Sequence, residues 1–149
     1  MNDNGEILPT RRLITSRGEY LDAVDQMLSM AQREIRIFDP DLADLRLHAP
    51  ERVARLREFL IQGRHTRIYV ALHKTEFVEQ RAPRLLQLMG LFAANVVIQR
   101  TQGDAARVED CFILVDHLHV ARRPVAAQPR GVVLTHDEAE AARMRERFD

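Results

Sequence analysis

The sequence is nearly without lysine, has one cysteine and no tryptophan, and carries no excess charge of either sign; each shortage removes a class of explanation. No apolar stretch approaches the roughly 20 residues that a membrane-spanning helix needs, so no membrane partner is expected. The first residues, Met1 to Glu6, are polar and acidic with no apolar run behind them. That is not a secretory signal, and the expectation is a cytoplasmic protein. With Cys111 as the one cysteine, no internal disulfide can form, which suits a reducing compartment. Basic and acidic residues number 22 each. A nucleic-acid binder usually shows a positive balance, so any such binding would need a local basic face. The six glycines are not clustered, which excludes a phosphate-cradling loop, and no Gly-x-Ser-x-Gly turn exists to present a serine nucleophile. No cofactor is implied.

What is present describes one globular domain. The chain has 149 residues, 46% hydrophobic and 30% charged, enough to bury a core without staples. Residues 1–15 read as a tail that becomes an edge segment; residues 16–149 read as the domain. Ser16 and Glu19 form a capping box. Tyr20, Leu21, Val24, Met27, Leu28 and Ala31 then recur at helical spacing, predicting a helix over 17–32. Ile35 and Ile37 alternate in a strand over 34–39, ended by Asp39-Pro40-Asp41. Pro50 opens a helix carrying Val53, Leu56, Phe59 and Leu60, and Gly63 stops it. A strand over 66–72, a helical turn at Thr75, a helix from Pro83 to about Asn95 and a strand at 96–98 follow. Residues 101–107 read as a polar loop. Cys111 to Val115 is a continuous apolar run, as in a central strand. Asp116-His117 is a tight turn and 118–121 the returning strand. A basic loop over 122–130, a strand at 132–134 and a helix through Phe148, capped by Thr135 with Glu138, complete the chain. Strands separated by helices predict an α/β fold with a mixed, mainly parallel sheet flanked by helices.

Several residues carry chemistry. Asp39, Asp41 and Asp44 cluster at the carboxyl end of a strand, where open α/β sheets gather ligands, although turn chemistry also explains them. His73, beside Lys74 at the same sheet edge, is a candidate acid or base. His117 and His119 lie two apart, the spacing that puts strand residues on one face, but zinc wants more ligands than two. Cys111, in its apolar run, reads as a small hydrophobe. Apart from Lys74 every basic residue is arginine, which reflects base composition or arginine's bidentate fit to oxyanions.

The stretches Glu34 to Pro40, Arg64 to Val70, Arg81 to Leu85 and above all Asp110 to Asp116 resemble, by order and spacing, one repeat of the phospholipase-D-like fold. The resemblance runs from about Ser16 to Phe148, within a bacterial group lacking the catalytic signature. Active members of that superfamily carry His-x-Lys-x-x-x-x-Asp: the imidazole attacks phosphorus and the ammonium neutralises the phosphoryl oxygens. Counting back from Asp116, those positions hold Glu109 and Cys111. Lys74 has Leu72 two residues before it, so no His-x-Lys exists anywhere in the chain. The resemblance therefore implies a pseudoenzyme acting as a binding or interaction module. Because the family's enzymes pair two repeats around a shared site, it also implies a homodimer through the repeat-pairing face. Where the family's phosphate pocket would lie, Arg81, Arg84, Arg100, Arg122 and Arg123 either line an anion site or form solvated surface. Two alternatives stand beside this: a divergent phosphodiesterase or nuclease using His73, or His117 with His119; and binding of an anionic ligand or nucleic acid through the arginines.

Overall fold

The alternating and helical patterns are realised, in a computed structural model that describes residues 8–148 except for the side chains of Asp104 and Ala106, as seven strands and five helices. In chain order these are β1 (Thr10–Ile14), α1 (Arg17–Met30), β2 (Glu34–Asp39), α2 (Pro50–Leu60), β3 (Arg67–Leu72), α3 (Glu76–Arg81), α4 (Pro83–Leu91), β4 (Val96–Arg100), β5 (Cys111–Val115), β6 (His119–Arg123), β7 (Gly131–Thr135) and α5 (Glu138–Phe148). One sheet holds all seven strands in the order β1-β7-β6-β5-β2-β3-β4. The segment before Ser16 does become an edge: β1 pairs antiparallel with β7. Residues 1–7 of the expected tail lie outside the described residues.

The sheet is not mainly parallel. Only β2, β3 and β4 run parallel; every other pairing is antiparallel. The reason is the connection after β4. It holds a short 3-10 turn, Gly103–Arg107, but no crossover helix. The chain re-enters the sheet from the end it left, so β5 must oppose β2.

Pleating sends residues alternately to two faces. Ile35, Ile37, Ile68, Val70, Cys111, Ile113 and Val115 face α1, α2 and α4 in the larger core. Phe38, Phe112, Leu114 and Val120 face α5 through Ala141 and Met144 in the smaller one. Among the described residues no helix is long and apolar enough to cross a membrane.

Local details differ from expectation where tertiary partners intervene. Ser16 caps α1, its hydroxyl accepting from the Glu19 amide at 3.1 Å, but the Glu19 carboxylate accepts from the Thr15 hydroxyl at 2.6 Å. Thr135 does not cap α5. It ends β7 bonded to the Thr10 hydroxyl, and Asp137 takes the capping place, accepting from the Glu140 amide at 3.1 Å. β6 runs to Arg123, two residues past the expected end, because Cys111 and Phe112 at the start of β5 still need partners.

Candidate functional site

The carboxyl end of β2 and the start of β5 bring Asp39 beside Cys111, and β6 sets Arg123 directly opposite Cys111. The Tyr20 hydroxyl on α1 lies 3.8 Å from the Cys111 sulfur, and the Arg123 guanidinium sits 4.2 Å from the Tyr20 ring centre. Asp39 Oδ2 accepts from the amides of Asp41 at 3.2 Å and Leu42 at 2.7 Å. Arg123 Nη2 donates to Asp44 at 3.3 Å, and Asp44 also meets Arg17 at 3.0 Å. All four central side chains are at most 1% exposed. Among the described residues Asp39 Oδ1 and Arg123 Nε and Nη1 have no hydrogen-bond partner. Burial pushes the Asp39 carboxyl up to about 6 and raises both the Cys111 thiol and the Tyr20 phenol. A thiol held up is not a nucleophile at neutral pH. The cluster is a sealed polar knot.

The three positions of the degenerate motif do not meet. Glu109 is exposed, its carbonyl accepting from the Ala126 amide at 2.8 Å. Asp116 stands at the far end of β5, about 17 Å from Cys111 at the usual rise of about 3.4 Å per residue. There its carboxylate accepts from three successive amides, Gln32 at 2.9 Å, Arg33 at 2.8 Å and Glu34 at 2.9 Å. Asp116 and His117 both have positive φ, 55° and 59°, and centre a tight turn closed by the Leu118 amide donating to the Val115 carbonyl at 3.0 Å, within the three-residue connection between β5 and β6.

The histidines are also held. His73 Nε2 donates to the Val108 carbonyl at 3.0 Å, so Nδ1 accepts from the Thr101 hydroxyl at 2.6 Å; both nitrogens are spent fastening the loop after β4. His117 lies in the turn rather than in a strand, so it does not share a face with His119. It pairs with Glu34 and accepts from Arg145 at 3.0 Å. His119 is buried, accepts from the His136 amide at 3.0 Å, and has its pKa lowered by burial. Among the described residues no group of three or more His, Cys, Asp or Glu side chains is placed to hold a metal.

The arginines scatter. Arg122 and Arg123 project from opposite faces of β6, Arg122 meeting Asp110 at 3.2 Å. Arg81, Arg84 and Arg100 are exposed on α3, α4 and the end of β4. Asp41 accepts from the Ala43 amide at 3.0 Å, which is turn chemistry.

Sequence reasoning did not single out Tyr20, Arg36, Tyr69, Asp110, Arg147 or Phe148. Asp110, 5% exposed, takes both terminal nitrogens of Arg147 and ties the last turn of α5 to the sheet. Arg36 lies 4.5 Å from the Tyr69 ring and 5.2 Å from the Phe148 ring. An arginine amid the alternating hydrophobics of β2 was the one available signal.

Residues 16–149 match the model of a family described as Domain of unknown function (DUF7931). No curated protein matches. Among solved structures the fold is similar to that of TrmBL2, described as an archaeal chromatin protein with a novel mode of DNA binding, at a TM-score of 0.69 and 14% identity. The alignment covers 98% of this chain and 51% of that one, so this chain spans little more than half of its length, and the likeness is one of fold.

Proposed function

We propose, for a chain that belongs to the DUF7931 family, a non-catalytic binding module built on a single phospholipase-D-like repeat. The observation that carries this reading is the sealed knot at Asp39, Cys111, Arg123 and Tyr20. Where the resemblance puts an attacking imidazole and an ammonium, the chain offers an exposed carboxylate and a buried thiol. Developing phosphoryl charge would meet Glu109 rather than a cation, and substrate has no opening to Arg123. The same reading carries a homodimer formed through the repeat-pairing face and a cytoplasmic setting.

The test is hydrolysis of bis(p-nitrophenyl) phosphate by purified protein, with and without magnesium, manganese or zinc. No release above buffer is expected. Turnover that disappears in His73→Ala would sink the reading and establish the divergent phosphodiesterase in its place.

A second reading, nucleic-acid binding, draws support from the DNA binding ascribed to TrmBL2 and from the arginine-rich composition. Oligonucleotide affinity that falls as salt rises is its signature.

A further inference from the structure

Helices α1 to α4 cover one face of the sheet, whereas among the described residues α5 alone crosses the other. Beyond α5 the strands β3 and β4 lie open. Tyr69 is half-buried there, Val97 is 42% exposed and Gln99 is exposed. With Arg36, Val70 and Phe148 they line a hollow of about 350 Å³. Its floor is rigid. The Glu34 carboxylate accepts from Arg36 Nε and Nη2, both at 3.1 Å, and the guanidinium so fixed lies against the rings of Tyr69 and Phe148.

Beside the hollow the strand charge is lopsided in a chain of zero net charge. By the strand registers Arg36 and Arg67 project beside the hollow, and the one strand acid there, Glu34, is taken by Arg36; Arg11 and Arg122 lie on β1 and β6 beyond β5, where Arg122 meets Asp110. Pre-positioned aromatic rings, a side-chain amide and the arginine in excess, Arg67, make up the chemistry that holds single-stranded nucleic acid: bases stack on a ring and phosphate meets the cation.

We propose that the open face of β3 and β4 is a platform for single-stranded nucleic acid, with a base stacked on Tyr69, the Gln99 amide at its edge, and the phosphate backbone running toward Arg67. This rests on the binding-module reading and names the ligand class. A duplex is the wrong shape, because its bases hide the flat surfaces that Tyr69 would cover. A second copy is the poorer match, because a two-fold interface sets the patch, with its excess of positive charge, against itself.

The experiment is fluorescence anisotropy of a labelled 20-nucleotide oligothymidylate at low salt. Binding is expected, tighter than for a duplex of the same length and weakening as salt rises. Tyr69→Ala should weaken it at least about fivefold, the equivalent of losing one stacked base, and Tyr69→Phe should leave it unchanged. Val97→Glu, on an exposed strand whose side chain supports no core, provides a variant that folds and should weaken binding likewise. Equal affinity for the duplex, or parent-like affinity in both Tyr69→Ala and Val97→Glu, overturns the platform. So does a concentration-dependent dimer in sedimentation that Val97→Glu abolishes while the oligonucleotide stays unbound, which would give the face to a second copy. An oligonucleotide left unbound and intact sinks this proposal alone. One that is cleaved sinks the non-catalytic reading with it.

Discussion

Asp116 combines a left-handed backbone, φ 55°, with a carboxylate that gathers three amides from the start of β2. Turn formation alone would make glycine neutral or better at this position. The amide clamp makes glycine costly instead, by about 2 kcal/mol or more for lost hydrogen bonds to a charged acceptor. Urea unfolding of Asp116→Gly decides, and a variant as stable as the parent leaves the clamp without energetic weight. Asp39 poses the opposite case. Its carboxyl titrates at about 6 in the fold because burial disfavours the charge, against about 3.9 in an unfolded chain. Since the folded value is raised, the protonated form favours folding. Stability from this group is present in full below about pH 4, declines as pH climbs toward 6, and is gone above it. The span is on the order of 3 kcal/mol. Asp39→Asn keeps the acceptor for the Asp41 and Leu42 amides. It should flatten that part of the pH profile and raise the urea midpoint at pH 7; a profile parallel to the parent's counts against a titrating Asp39. A turn-forming Asp39-Pro40-Asp41 was legible in sequence, but its burial against Tyr20 and Arg123 was not, since those residues come from α1 and β6.

At the scale of elements, α5 is among the described residues the one helix on its face of the sheet, and Asp110 is its anchor. Arg147 meets Asp110 through both terminal nitrogens, and Arg122 shares the same carboxylate. Asp110→Ala leaves two guanidinium groups without that partner. Because Arg147 is partly exposed, the loss should fall near the lower end for a charged pair, about 2 kcal/mol. Hydrogen exchange should accelerate over Glu138–Phe148 before it does over β2 and β3, and uniform acceleration would mean that the pair holds more than the helix. Strand and helix positions were legible because their periods are local. Ile35 with Ile37, Leu56 with Phe59 and Leu60, and the run from Cys111 to Val115 lie where their patterns put them. The direction of β5 was not legible, since it depends on how residues 101–110 travel along the sheet's end.

For the whole molecule, β1 tests where the domain begins. The family match starts at Ser16, yet Thr10–Ile14 pairs along all of β7, and Ile14 is 1% exposed. A chain beginning at Ser16 should lose at least about 2 kcal/mol, the lower end for removing a buried isoleucine. It also loses the Thr15 partner of Glu19. Thermal unfolding of the shortened chain checks this, and a midpoint equal to the parent's would make β1 an accessory.

The sequence by itself determined that phosphohistidine chemistry of the phospholipase-D type lacks its parts here, because Lys74 is the one lysine and Leu72 precedes it where a histidine would be needed. It also determined most strands and helices, because local periodicity is written in neighbouring residues. Only the tertiary structure decided that β5 opposes β2, that Asp39, Cys111, Tyr20 and Arg123 close into one buried knot, and that β3 and β4 stay uncovered beside α5. Each of these joins residues far apart along the chain, and no spacing in the sequence encodes which face of a sheet a later helix will leave bare.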